Sequence, residues 1–257
     1  MFLRLRQLCL VAHHLDQVVD DLAAVFALRV CHRDPLVERF GLQNAVLPVG
    51  SSFVEVVSPL VEGTPAGRHL ERRRGDGGYM VICDTDDLPH WRTHSVNVGV
   101  RIAAELVHED YAGLQLHPHD TGGALLEINT TRGNGADPLG PYAPAGPHWQ
   151  SHLNTARVKR VAGVALQGSA PEQLARRWGE ILDRPLQADG QDHWRLTLGN
   201  AVLRFIPPRD DRGDGLAAID LEVDDAQAIR SAAVARGCPC DDEGVMLGGV
   251  WFSLRTA

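Results

Sequence analysis

The 257-residue chain reads as an α+β protein of four repeated units, each a strand, a helix and three further strands, paired into two domains. Three observations predict this. Short apolar strands alternate with helix-spaced apolar faces throughout the chain. The same order of elements recurs, with closing strands centred near positions 55, 127, 204 and 253. A Gly- and Pro-rich stretch then separates the first two units from the last two.

The first unit opens on strand Leu8–Ala12. Val18, Val19, Leu22, Val25 and Phe26 follow on one helix face, and Phe53–Val57 closes the unit. In the second, Tyr79–Cys83 is a strand and Asp86-Asp87-Leu88-Pro89 starts a helix that stops before Gly99. Strands around Val100–Glu105 and Gly113–His117 precede a turn into Ala124–Ile128. The third unit begins at Arg160–Leu166. Its helix opens on Ser169-Ala170-Pro171-Glu172, read as a capping box, and strands follow at His193–Leu198 and Ala201–Ile206. The fourth runs through Gly215–Val223, a helix from Asp224 to Arg236 stopped by Gly237, and Val250–Leu254. A four-strand unit cannot cover its own apolar face, so units should pair. The expected division is 1–130 (units 1–75 and 76–130), a linker and hinge at 131–150, and 151–257.

Composition limits the function classes. A hydrophobic fraction of 44% supports a real core, and a net charge of −8 lacks the basic excess of a general nucleic-acid binder. No run approaches the roughly 20 apolar residues that cross a bilayer. The start reads as a strand and not a signal peptide. Five cysteines, an odd number, argue against a disulfide framework and for a reduced, cytoplasmic protein. Arg72-Arg73-Arg74, before a Gly-rich junction, reads as a solvated loop. His14 falls where a helix cap should be.

The phrases LCLVAHHLDQVVDDL, FVEVVSP, GGYMVICDTDDL and LQLHPHDTGGALLEIN, with the repeated order, resemble the glyoxalase, bleomycin-resistance and extradiol-dioxygenase superfamily, also called vicinal oxygen chelate proteins. The resemblance implies two glyoxalase-like domains with cup-shaped mixed sheets. It implies metal ligands on the first and closing strand of each module in a cup, which here fall on Gln7, Glu55 and Glu127. Glu127 is also the candidate catalytic residue. The remaining position falls on Met80, or on Tyr79 if the register slips by one, and neither is the usual His. Tyr79, Met80, His117 and His119 are the candidate substrate-facing residues. The matching positions of the second half, near Val161, Arg204, Ala217 and Ser253, offer no metal site, so that half reads as a degenerate copy.

Two functional readings stand open. In one, the N-terminal cup binds a small oxygenated or aromatic molecule with a non-standard or absent metal site. In the other, one divalent ion (Mg, Mn, Fe, Ni or Zn) on Gln7, Glu55 and Glu127 serves a lyase, isomerase or oxygenase. Whether the protein is an enzyme is left open by the residues. The expected partner is a small molecule, with no nucleic acid and no membrane, on a monomer or homodimer. Glu55 and Glu127 stand out in either reading, because a carboxylate in an apolar strand must be paired, protonated or bound if it is buried.

Overall fold

A computed structural model of the chain describes residues 1–133 and 137–256. The N-terminal half runs β1 (Leu3–Val11), α1 (Leu15–Phe26), a 3-10 turn (Pro35–Phe40), β2 (Leu42–Val49), β3 (Ser52–Pro59), α2 (Pro65–Arg73), β4 (Gly77–Thr85), α3 (Leu88–Asn97), β5 (Ile102–His108), β6 (Tyr111–Leu116), a single helical turn α4 (Pro118–Thr121) and β7 (Leu125–Thr131). The C-terminal half runs β8 (Val158–Gln167), α5 (Pro171–Leu182), β9 (Gln187–Ala188), β10 (Trp194–Thr197), β11 (Val202–Ile206), β12 (Gly215–Val223), α6 (Ala226–Ala235), β13 (Gly244–Leu247) and β14 (Val250–Thr256).

Each half forms one mixed seven-stranded sheet, ordered β2-β3-β1-β4-β7-β6-β5 and β13-β14-β12-β8-β11-β10-β9. The first strands of paired modules lie antiparallel at the centre, and each closing strand runs parallel to its own first strand. The repeat is thus visible as a pseudo-twofold in each sheet. In the outer modules the first trailing strand shrinks to a single bridge, His32–Val46 in one and Cys240–Val245 in the other.

Alternation along the strands divides the residues into two sets. Leu8, Leu10, Val54, Val56, Val81, Leu126 and Ile128 enter a core that runs continuously through both halves. Cys9, Val11, Val57, Met80 and Ile82 form a second cluster on the concave face. The halves interlock: Phe26 of α1 meets Phe252 of β14 with ring centroids 5.1 Å apart, and Trp178 Nε1 of α5 donates to Thr121 O at 3.1 Å. Gly78 has no room for a side chain, since a Cβ there would lie 2.5 Å from Leu216 of β12.

Four sequence expectations need correction. First, β1 starts at Leu3, not Leu8; its polar residues are buried, with Arg4 held bidentate by Asp84 at 2.8 and 2.9 Å. Second, α5 has no capping box. Its N-cap is Ala170, Pro171 occupies the first turn, and Glu172 accepts from Arg176 instead. Third, the Arg72–Arg74 segment is largely helical. It ends α2, where Ala66, His69, Leu70 and Arg73 share a buried face; Arg73 is 2% exposed and donates to Arg212 O, Gly213 O and Asp214 O. Fourth, the stretch expected to be a hinge is anchored. Tyr142, Ala145 and Trp149 are buried against Phe53 and Val46, with Tyr142 stacked on the Phe53 ring at 4.9 Å. Part of that stretch, 134–136, lies outside the described residues. His14 does take the N-cap position of α1, without a side-chain capping bond.

Candidate functional site in the N-terminal cup

The concave face of the first sheet walls a cavity of about 1130 Å³. Its floor is made by cup-facing residues of the central and closing strands. The register places Glu55 of β3 beside Cys9 of β1, and Glu127 of β7 beside Ile82 of β4. Two β-bulges complete the floor. Between β1 and β4 the pairing steps from Leu5–Cys83 to Gln7–Ile82, and again from Cys9–Met80 to Leu10–Gly78. Arg6 and Tyr79 are the extra residues. A bulge re-aims a side chain locally, so Tyr79 and Met80, neighbours in sequence, both line the cavity. The one-residue ambiguity in the sequence register is resolved by both residues facing the cup.

Both carboxyl groups are buried, Glu55 at 8% and Glu127 at 2% exposure. Their hydrogen-bond partners are uncharged. Gln7 Nε2 donates to Glu55 Oε2 at 2.8 Å and Asn44 Nδ2 to Glu55 Oε1 at 2.7 Å. The Tyr111 hydroxyl donates to Glu127 Oε1. Gln115 Nε2 donates to Glu127 Oε2 at 3.0 Å and Asn129 Nδ2 to Glu127 Oε1 at 3.1 Å. Gly113 lets the Tyr111 ring reach across, because a Cβ there would sit 3.0 Å from the Tyr111 hydroxyl and 3.3 Å from Glu127 Oε1. Two acceptors, Gln7 Oε1 and Asn129 Oδ1, are buried without a partner.

Burial sets the titration of the site. It pushes the Glu55 carboxyl above its ordinary value, against the pull of the Asn44, Cys9 and Gln7 hydrogen bonds, and the charge of Glu127 adds to the rise. Burial also raises the Cys9 thiol and the Tyr111 and Tyr142 phenols, and pushes Tyr79 up to about 12. Behind Tyr79, His69 Nε2–H donates to Gly78 O at 3.1 Å, and the ring is pushed down to about 4 by burial and by Arg72 and Arg73. It sits neutral at physiological pH.

Of the residues singled out from sequence, Gln7, Glu55, Glu127, Tyr79, Met80 and His117 line the one cavity. His119 does not: it is exposed, its ring tilted against that of His117 with centroids 5.5 Å apart. His117 is half-buried at the wall, where its Nδ1 accepts from the His119 backbone N–H and caps α4. Asn44, Tyr111, Gln115, Asn129 and Tyr142 were not anticipated. The available signal was a polar residue two positions from a cup-facing one on the same strand, as Asn129 is from Glu127.

The donor set does not fit the four-ligand metal centre that the resemblance implies. The β4 positions are Ile82 and Met80, and on β1 Glu55 has the Cys9 thiol in register beside it and the Gln7 amide bonded to it. Every carboxyl oxygen already accepts from an amide or phenol. Among the described residues, no group of three or more His, Cys, Asp and Glu is placed to hold a metal ion.

The second sheet offers the same positions with other residues. Its register puts Arg204 beside Ala165, where the first sheet has Glu55 beside Cys9, and Ser253 beside Asp220, where it has Glu127 beside Ile82. Arg204 Nε and Nη2 bond Asp220 at 2.8 and 2.6 Å, and Trp251 stands at the position of Leu125. Val161 and Ala217, the other sequence-matched positions, are buried, and Ala217 is the extra residue of a bulge.

No protein-family model matches the chain, and no curated protein matches it. Solved structures do. A hypothetical protein from Staphylococcus aureus superposes with a TM-score of 0.70 at 11% identity, covering 100% of each chain. A variant of 4-hydroxymandelate synthase from Streptomyces coelicolor superposes with a TM-score of 0.66 at 14% identity, covering 98% of this chain and 92% of that one. Methylmalonyl-CoA epimerase from Streptomyces coelicolor matches 51% of this chain and 99% of its own, with a TM-score of 0.47 and 23% identity. With the two full-length superpositions and the paired-module sheet order, the chain has the fold of the vicinal oxygen chelate superfamily.

Proposed function

We propose that the protein binds a small oxygenated or aromatic organic molecule in the N-terminal cup, without the family's usual metal centre. The observation that carries this reading is the pair of buried carboxyl groups, Glu55 and Glu127, facing a cavity whose other walls are largely apolar. Ligand pockets combine such walls with a few fixed polar groups, and run to about 300–1,000 Å³; this one, at about 1130 Å³, has room for a drug-sized molecule. The polar groups are pre-set, because each carboxyl is already oriented by side chains from neighbouring strands. If chemistry occurs there, Glu55, with its raised proton affinity, is the group suited to accept and return a proton.

The competing reading is a divalent-metal lyase, isomerase or oxygenase on Gln7, Glu55 and Glu127. One observation favours it: Gln7 Oε1 is a buried oxygen without a partner. The missing fourth ligand on β4 speaks against it.

The test borrows the second half's own substitution. Leu125→Trp places an indole where Trp251 stands in the other sheet. A fragment set followed by ¹H–¹⁵N NMR should shift cup residues of the parent and not of a folded Leu125→Trp variant. Equal shifts in both would place binding elsewhere and sink the proposal. Titration with Mg, Mn, Fe, Ni and Zn on the same sample separates the readings, since tight uptake of one ion lost in Glu127→Gln would favour the metal enzyme.

A further inference from the structure

We infer that the ligand of this cup is an organic cation, an ammonium or amidinium group on an apolar or aromatic body; this rests on the small-molecule reading above. Donors and acceptors on the floor are unequal. Gln7, Asn44, Gln115 and Asn129 each spend an amide N–H on Glu55 or Glu127, and Tyr111 spends its hydroxyl proton. What they leave facing inward is acceptor capacity. The two carboxyl groups have lone pairs to spare, and Gln7, which lines the cavity and is 3% exposed, leaves its Oε1 without a partner. A buried acceptor without a donor has lost its water and gained nothing in exchange. A ligand rich in N–H groups is the complement that makes good this loss.

Charge points the same way. The described lining of the cavity holds six acidic residues against two arginines; Glu62, Glu109 and Asp110 are exposed like Arg39 and Arg68, and Glu55 and Glu127 are the buried pair. Among the described residues no Lys or Arg lines the floor. The buried Arg6 on β1 is engaged elsewhere, bonded to Ser51 O, Pro138 O and Gly140 O and close to Asp84. Two carboxyl groups in a low-dielectric cup with no cation are poorly compensated. Glu55 answers by holding its proton more tightly. A ligand cation would supply the missing charge.

The mouth defines the rest of the molecule. Leu36, Phe40 and Val61 line the cavity while 49%, 46% and 58% exposed, and Leu60 beside them is 51% exposed. With Met80 and Leu125 inside, they form an apolar path from rim to floor. The cationic head sits against Gln7, Glu55 and Glu127, and the hydrocarbon or aromatic body lies along this path.

Matched trios test the inference on the intact protein: amidine, primary amide and carboxylate on the same phenyl, naphthyl or phenylbutyl body, titrated by NMR and calorimetry at pH 7. Within a trio the amidine should bind about tenfold or more tighter than the amide, and the carboxylate should not bind. Glu127→Gln and Glu55→Gln, checked for folding by circular dichroism, should shrink the amidine preference and leave the amide's affinity within about twofold. An amide or carboxylate that binds as tightly as its amidine would overturn the cation and leave the small-molecule reading intact. If no member of any trio shifts a cup residue, both fail together.

Discussion

The two sheets of this protein share one paired-module plan and differ in what they put on the concave face. The first leaves Leu125, Ile82, Glu55 and Glu127 around a cavity. The second places Trp251, Asp220, Arg204 and Ser253 at the corresponding positions. Arg204 and Asp220 close on each other, Trp251 takes the space Leu125 leaves open, and the Arg209 guanidinium lies 5.3 Å over the Trp251 ring. A carboxylate answered by an arginine is satisfied within the fold. A carboxyl group answered only by amides and a phenol keeps unspent charge and lone pairs. The charged groups of the second cup are therefore paired within the fold, and the carboxyl groups of the first have no cation beside them among the described residues.

The largest effect should come from breaking the pair that completes the second cup. Asp220→Ala leaves Arg204 without its bidentate partner. Removing one member of a buried ion pair costs about 3–5 kcal/mol, and the part exposure of Arg204, 22%, sets the expectation at the low end, about 3 kcal/mol. Urea unfolding reads this directly. Replacing both partners by apolar residues, Arg204→Met with Asp220→Leu, should recover most of the loss, because no stranded charge remains. Ligand binding in the first cup should survive both changes. If Asp220→Ala unfolds no more easily than the parent, the pair does not hold the second cup together.

A smaller effect should come from loosening the first cup. Tyr111→Phe removes the hydroxyl that donates to Glu127 and accepts from Asn129 Nδ2 at 3.1 Å. Hydrogen bonds to charged groups contribute about 1.5–3 kcal/mol, so a loss of about 2 kcal/mol is expected by the same unfolding assay. A loss below about 0.5 kcal/mol would mean that Gln115 and Asn129 alone suffice.

How much of this was legible in the chain follows from range of interaction. Glu55 and Glu127 could be seen, because a single acidic residue in FVEVV or LLEIN breaks an apolar strand. Their partners could not: Asn44, Tyr111 and Gln115 come from other strands, and only the register brings them together. The bulge that turns both Tyr79 and Met80 into the cup is a property of the β1–β4 pair, invisible in either strand alone. The early start of β1 was hidden for a related reason, since Arg4 and Arg6 look solvated until Asp84, 80 residues from Arg4, is set beside them. Helix α2 escaped because two of the four residues on its buried face, His69 and Arg73, are polar. The paired-module plan was legible because it rests on local periodicity and repetition, which need no distant partner.

The smallest effect is a slope with pH, and it bears on the first cup alone. Glu55 holds its proton in the folded state above the ordinary carboxyl value of 4.5. As pH rises past that value the unfolded chain releases the proton first, so the folded state binds more protons and stability falls with pH until the folded group titrates. His69 acts in the opposite sense. Its folded value of about 4 lies below the ordinary 6.5, so it takes stability away as pH falls through that window. The two slopes overlap and partly cancel in the parent, which is why a single profile would mislead. Glu55→Gln keeps His69 and deletes the carboxyl, so the difference between parent and variant isolates Glu55. That difference, measured by urea midpoints from pH 4.5 to 7.5, should move steadily against the parent as pH rises and then level off. A difference that stays flat would mean Glu55 ionises as easily folded as unfolded. The uncompensated carboxyl that separates the first cup from the second would then have found its charge partner inside the protein, as Asp220 has.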